Sequence, residues 1–330
     1  MNIAVAGATG VVGRKIIEIL QERNFYADNF YFFASEKSND KTVEIYGEKI
    51  KVETLTEENL FGKKIDLAFF ACPKNVSERF APLLVKNGAF VIDNSSRFRL
   101  NKGVPLVVPS VNEDEIFNAY DGCKGIIANP NCSTIMLMPV MNALKKYGLR
   151  KMLVCTYQAV SGAGRQGVCD LKGGETQAPL KFEKPIYSNC LPKIGDYDET
   201  GYTDEENKII YESKKILGLP RLNVGATAVR VPVFNCHSES VYAEFSEKIE
   251  IDDIYSALRD APYVKVYYDD YHTVLDADGS DFVHVGRVRK DKNTDSAIWL
   301  WLVADNLRVG ASLNAVKIAE VLQNSSKIDI

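Results

Sequence analysis

The chain has 330 residues, of which 46% are hydrophobic and 25% charged, and a formal net charge of −4. That length exceeds one ordinary compact core, so two domains are expected, and the composition is that of a water-soluble globular protein. Basic residues are interspersed with acidic ones, which leaves no field suited to nucleic acid and makes a small molecule the expected partner.

Seven cysteines form an odd set without paired short spacings. This argues against a disulfide framework and against a zinc site, and it favours a reducing, cytoplasmic location. The opening Met1-Asn2-Ile3-Ala4-Val5-Ala6 lacks the basic and long apolar regions of a signal peptide. No apolar run reaches the roughly 18 residues needed to span a bilayer, so no membrane partner is expected.

In chain order, residues 3–6 read as a strand and 11–23 as a helix, followed by extended segments at 30–34 and 66–71, a helix at 76–86, and strands at 90–93 and 126–128. The alternation predicts an α/β first part, a mainly parallel Rossmann-like sheet with helices on both faces. Between the first strand and first helix lies Gly7-Ala8-Thr9-Gly10-Val11-Val12-Gly13. Glycines let the backbone turn tightly and approach a pyrophosphate at a helix N-terminus. The G-x-x-G-x-x-G spacing also fits a glycine turn without a ligand. After the second strand, Ser35, Lys37 and Ser38 suit a 2′-phosphate and favour NADP, while Glu36 pulls toward NAD. The same four residues also fit a plain solvated turn.

Asn129-Pro130-Asn131-Cys132-Ser133-Thr134 joins a strand to a helix that runs from 133 through 144 to 147, with a kink expected at Pro139. Unpaired N–H groups and the helix dipole stabilise a thiolate at such a junction. By position alone, Cys132 is equally well a packing residue or a nucleophile. Beyond it, strands at 152–159, 227–233, 241–245 and 297–304 and helices near 204–216 and 252–261 predict an α+β second part around a broad sheet. Residues 307–322 read as an amphipathic helix.

A nucleophilic Cys132 needs a proton-handling partner. Of three histidines, His272 borders a charged, tyrosine-rich stretch and His284 falls in an alternating apolar run. His237 follows Arg230-Val231-Pro232-Val233-Phe234-Asn235-Cys236. Fully extended, Arg230 and His237 would stand roughly 23–25 Å apart. Pro232 and Asn235 predict a turn that brings both side chains to one pocket.

With these segments in place, the chain resembles the bacterial aspartate-β-semialdehyde dehydrogenases. Further matching motifs are Asp93-Asn94-Ser95-Ser96-Arg97-Phe98-Arg99, Val104-Pro105-Leu106-Val107-Val108-Pro109 and Tyr157-Gln158-Ala159-Val160-Ser161-Gly162-Ala163-Gly164. Glu205-Glu206-Asn207-Lys208 and Asp305-Asn306-Leu307-Arg308-Val309-Gly310 complete the ordered set. The resemblance implies that Cys132 accepts the acyl group, that His237 is the acid/base and that Gln158 orients the intermediate. It further implies that Arg230 binds the substrate α-carboxylate, that Glu205 pairs with the substrate ammonium, and that Arg99, Asn131 and Lys208 receive phosphate. Gly7, Thr9, Gly10, Val11, Val12, Gly13, Ser35, Lys37, Ser38, Ser161, Gly162 and Asn314 would contact NADP. The expected organisation is a cofactor domain of residues 1–129 plus 309–330 and a catalytic and dimerisation domain of residues 130–308, in a homodimer. The implied reaction is the reversible NADP-dependent reductive dephosphorylation of aspartyl phosphate, without a metal.

Three positions depart from the family pattern: Phe70-Ala71-Cys72-Pro73-Lys74-Asn75 replaces a glycine-rich segment, Cys236 stands where glycine is usual, and Ser110 replaces an acidic residue. Cys236 raises the hypothesis of a disulfide with Cys132 under oxidant. The alternatives are an N-acetylglutamyl-phosphate reductase and a noncatalytic nucleotide-binding paralogue. Asn131 before the cysteine, and Arg230 seven residues before His237, favour the aspartate enzyme over the first.

Overall fold

The computed structural model describes residues 1–38, 40–120, 124–175 and 178–325. The chain divides into two compact units, Met1–Pro130 with Ala311–Ile330, and Asn131–Gly310.

The first unit is built on a seven-stranded sheet of order β3-β4-β2-β1-β5-β6-β7. Its strands are β1 (Asn2–Ala6), β2 (Asn29–Ala34), β3 (Thr42–Ile45), β4 (Glu48–Thr54), β5 (Leu67–Phe70), β6 (Phe90–Asp93) and β7 (Ile126–Ala128). All pairs are parallel except β3 with β4. Phe32, Phe33, Phe69, Phe70 and Phe90 are fully buried, as expected of strands covered on both faces.

The β3–β4 hairpin escapes a reading of apolar periodicity because its strands are mostly charged or polar. Tyr46 (φ 50°) and Gly47 (φ 81°) are both left-handed, as a two-residue hairpin turn of matching twist requires. A tyrosine tolerates this because it is anchored: its N–H donates to Gln21 Oε1, its hydroxyl donates to the Leu20 carbonyl, and its ring stacks on Tyr26. The last helix, Leu313–Gln323, starts later than expected, after a π-helical turn at Arg308–Ser312. Glu320 on it forms a two-pronged pair with Arg23 at 2.6 and 2.8 Å, which ties it to the end of the first helix, Val11–Glu22.

The second unit holds a six-stranded sheet of order β11-β12-β13-β10-β8-β9. Its strands are β8 (Leu149–Gln158), β9 (Asn223–Arg230), β10 (His237–Phe245), β11 (Val264–Val266), β12 (Val283–Lys290) and β13 (Ala297–Ala304). β8 alternates cleanly: Met152, Val154, Thr156 and Gln158 are buried, while Leu153, Cys155 and Tyr157 are exposed. Helix Cys132–Leu144 is buried on nearly every side, the mark of a core helix, and Gly148 (φ 75°) closes the short turn after it. Helix Asp204–Leu217 opens on a capping box, with Thr203 and Glu206 bonding each other's backbone N–H, and ends at left-handed Gly218. Both signals are readable in the sequence.

Candidate active site

Asn131 is extended and caps helix Cys132–Leu144, its Oδ1 accepting from the N–H groups of Ser133 (3.0 Å) and Thr134 (3.4 Å). Cys132 is therefore the first helical residue, beside the positive end of the helix dipole. Gly310 lies against it, and a Cβ there would come within 3.0 Å of Cys132 Cβ.

Cys132 Sγ stands 3.3 Å from His237 Nε2. The Ala159 N–H donates to His237 Nδ1 at 3.1 Å, so the ring proton resides on Nε2, aimed at the sulfur. His237 is fully buried. Burial, reinforced by the positive charge of Arg230, pushes its pKa down to about 3, and the imidazole is neutral. The same Ala159 receives Arg230 through its carbonyl, with Nη1 at 2.7 Å. Burial also lowers the Arg230 guanidinium, against the pull of Glu205 and Cys132. Its Nε is buried and bonds to no described residue.

This meeting of Arg230 and His237 follows from strand order. β8 lies between β9 and β10, with Gln158 paired to Arg230 on one side. The segment between Arg230 and His237 crosses the end of β8, held by bonds from Val231 to Gln158, Val160 to Val233 and Ser161 to Phe234. Two strand spacings are about 10 Å, so the expected turn is a crossover. Gly162 is pressed against both side chains; a Cβ there would lie 3.0 Å from Arg230 Nη1 and 3.2 Å from His237 Cε1.

Glu205 is the hub of the polar network. Its Oε1 accepts from Asn131 Nδ2 (2.8 Å) and Gln158 Nε2 (3.2 Å), and its Oε2 from Lys208 Nζ (3.1 Å). Burial would raise this carboxyl, but Lys208, Asn131 and Arg230 together hold it at about 2. Because a carboxylate only accepts, it fixes the Gln158 amide with nitrogen toward Glu205. Gln158 Nε2 also reaches Ser133 Oγ at 3.0 Å and Thr156 Oγ1 at 3.2 Å. Cys132, Asn131, Gln158, Glu205, Lys208, Arg230 and His237 thus form one cluster. Sequence reasoning missed Glu212, whose carboxylate accepts the Asn131 N–H at 2.7 Å. Its place seven residues after Glu205 on one helix face was the available signal.

Arg99 belongs to the first unit, buried, with Nη2 donating to the Asn94 carbonyl at 2.9 Å. There the glycine turn is tight: Gly7 has φ 85°, and a Cβ on it would meet the Ala71 carbonyl at 2.3 Å, while one on Gly13 would meet the Gly7 carbonyl at 2.2 Å. The departing segment at Cys72 abuts this turn, and burial lifts the Cys72 thiol to about 12. Val11 and Val12 open a helix with neither a side-chain cap nor an acidic first turn, so its N–H groups suit a pyrophosphate. Thr9 Oγ1 lies 3.1 Å from Ser38 Oγ, and Lys41 Nζ reaches the same hydroxyl at 3.5 Å; Ser35 and Lys37 are exposed beside them. Asn314 Nδ2 is committed to Val107 and Asn129. In the second unit, the Ser161 hydroxyl lies between Asn235 and Asn306.

Cys236 takes φ 68°, which accounts for glycine being usual there. It packs with Ala277, Val303 and Val274, and burial raises its thiol far above the ordinary range. These surroundings argue against the hypothesised link to Cys132. Cys236, Asp278 and Asp305 are the one group among the described residues with metal-like spacing. Asp305 already accepts the N–H groups of Gly279, Leu307 and Arg308, an arrangement that organises loops. No described helix is long and apolar enough to cross a membrane.

Residues 2–119 match the family model "Semialdehyde dehydrogenase, NAD binding domain" and residues 137–309 match "Semialdehyde dehydrogenase, dimerisation domain". The chain is 43% identical to an aspartate-semialdehyde dehydrogenase of Aquifex aeolicus (strain VF5) over 97% of both chains. It is 41% identical to that of Bacillus subtilis (strain 168), over 98% of this chain and 97% of the other. Among solved structures, aspartate semialdehyde dehydrogenase II from Vibrio cholerae, complexed with ASA, superposes with a TM-score of 0.94 at 38% identity and 98% coverage of each chain. The chain belongs to the aspartate-semialdehyde dehydrogenase family.

Proposed function

We propose that this protein reduces aspartyl phosphate to aspartate semialdehyde and inorganic phosphate, reversibly, through a thioester on Cys132. The observation that carries the reading is the 3.3 Å approach of Cys132 Sγ to a neutral His237 at a helix N-terminus. Arg230, with a buried Nε left over, binds the substrate carboxylate in a forked geometry, and Glu205 takes the ammonium. Cys132 attacks the acyl carbon, and Asn131 and Lys208 bind the phosphate as it leaves. The Gln158 amide orients the acyl group without titrating. The bound reduced nicotinamide supplies a hydride. The thiohemiacetal oxyanion then re-forms the carbonyl as its C–S bond breaks, and the His237 Nε2–H, without giving up its proton, hydrogen-bonds the departing Cys132 thiolate.

The Gly7, Thr9, Gly10, Val11, Val12 and Gly13 backbone is the proposed seat of the dinucleotide pyrophosphate, with Asn314 as a further contact. NADP is the proposed form: the hydroxyls of Thr9, Ser35 and Ser38 with Lys37 and Lys41 suit a 2′-phosphate. No metal is required. A homodimer is proposed through the sheet face carrying Leu153, Tyr157, Tyr242, Trp299 and Trp301, where Tyr157 packs on Trp301 and Tyr242 on Trp299. A reactive thiol suits the reducing cytoplasm.

The test is spectrophotometric NADP reduction with aspartate semialdehyde and phosphate. Turnover that requires phosphate, prefers NADP over NAD and vanishes in Cys132→Ser is expected. Full activity in Cys132→Ser would refute the mechanism.

A further inference from the structure

Glu212 is buried on helix Asp204–Leu217, and the reaction above does not use it. It follows Glu205 two turns later, so both carboxylates leave one face of the helix, about 10 Å apart along its axis. They converge on a single residue. Glu212 Oε2 accepts the Asn131 N–H at 2.7 Å, and Glu205 Oε1 accepts from Asn131 Nδ2 at 2.8 Å. Asn131 Oδ1 meanwhile caps the Cys132 helix through Ser133 and Thr134, and the Asn131 carbonyl accepts the Ile135 N–H at 2.8 Å. Backbone and side chain are thus engaged at both ends. The Glu212 bond is at the short end for an N–H donor, the mark of a charge-assisted contact. Any neutral carbonyl could meet a backbone N–H there, and Asn131 already caps the helix, so stability alone does not call for a costly buried carboxyl.

We infer that Glu212 is a positioning residue for the reaction: it anchors the Asn131 backbone so that the Asn131 amide faces the departing phosphate. The inference rests on the phosphate role proposed above for Asn131. An amide nitrogen carries two hydrogens, so Nδ2 can serve Glu205 and a phosphate oxygen together. The direction of the side chain decides whether it does, and the backbone sets that direction. Glu205 holds the amide end and Glu212 the backbone end, both from the helix that also carries Lys208. With the backbone end released, Asn131 turns about its bond to Glu205 and the second hydrogen loses its aim. The carbonyl bond to Ile135 keeps the helix start in place, so the effect falls on phosphate more than on the thiol.

The experiment compares Glu212→Met, Glu212→Gln and Glu212→Met combined with Asn131→Ala in the full-length enzyme, with Asn131→Ala and Cys132→Ser alongside. Glu212→Met removes the acceptor and is expected to lower kcat/KM for phosphate about tenfold, while KM for NADP stays within about twofold. Glu212→Gln keeps an acceptor oxygen of the same reach and recovers most of that loss. In the Asn131→Ala background the Met substitution costs less than about twofold, because the side chain it aims is gone. Wild-type kcat/KM for phosphate in Glu212→Met would overturn the inference. So would an undiminished loss in the Asn131→Ala background, or a Gln variant as impaired as Met, since packing alone would then explain the site. Should the Met variants not fold, Glu212→Asp, whose carboxylate falls one methylene short, is read against the same criteria. An unimpaired Asn131→Ala or an active Cys132→Ser would overturn the proposed reaction roles and this inference with them. An impaired Asn131→Ala beside a wild-type-like Glu212→Met overturns the inference alone.

Discussion

The backbone N–H of Ala159 donates to His237 Nδ1 at 3.1 Å, and this bond decides the chemistry of the histidine. An imidazolium would need a proton on Nδ1, directly opposed to that N–H. The ring instead presents Nε2–H to Cys132 Sγ, and the positive charge that balances a thiolate comes from the helix N-terminus and Arg230.

His237 is therefore expected to be silent across the range where histidines ordinarily titrate. Proton NMR, with the signal assigned by its loss in His237→Asn, should show its ring resonance unmoved between about pH 8 and 5. A midpoint near the ordinary histidine value would disprove the neutral tautomer. The same substitution should lower kcat by about 10²–10⁴-fold.

Two neighbours on β10 push stability in opposite directions with pH. His237 ordinarily titrates at 6.5 and is lowered to about 3 by folding, so below 6.5 the unfolded chain takes up the extra proton. Its contribution is present above 6.5 and lost as pH falls toward 3. Glu239 is raised well above 4.5. Its contribution is present below 4.5 and lost as pH rises toward its folded value. Above 4.5 and below 6.5 the two slopes oppose each other in the wild type. Urea titrations in that window should give a stability that climbs with pH in Glu239→Gln and falls with pH in His237→Asn. Equal slopes in both variants would contradict the assigned protonation states.

Asn131 serves the helix and the site at once. Asn131→Ala removes the cap on Ser133 and Thr134 and should cost about 1 kcal/mol in urea denaturation. It should also raise KM for the semialdehyde, because Glu205 loses a donor. Asn131→Asp keeps the cap but sets a second carboxylate against Glu205. Its KM should exceed that of the Ala variant at neutral pH, and the reverse order would count against Glu205 as hub.

At position 236 the usual ranking of alanine over glycine should invert. Cys236→Gly relieves a left-handed residue (φ 68°) and should be at least as stable as Cys236→Ala, by up to about 1 kcal/mol. Both should keep wild-type kcat, and peptide mapping of peroxide-treated enzyme should find no bond between Cys132 and Cys236.

Much of the site is local chemistry and could be read along the chain. The capping box at Thr203 and Glu206, the strand-to-helix junction at Cys132, the glycine turn at Gly7 and the alternation of β8 all depend on residues a few positions apart, where periodicity and capping act. The charged hairpin at Tyr46-Gly47 did not follow that rule, because tertiary bonds to Leu20 and Gln21 hold its turn.

What the sequence by itself determined was the set of candidate groups, Cys132, Gln158, Arg230 and His237, and the kind of element each sits on. Only the tertiary structure decided how they act. Strand order, which no local pattern encodes, puts β8 between β9 and β10 and carries Arg230 and His237 to one Ala159 peptide. That peptide selects the tautomer of His237, and the interior pushes His237 down and Glu239 up, each toward its uncharged form, since desolvation depends on everything packed around a group and not on its neighbours in the chain.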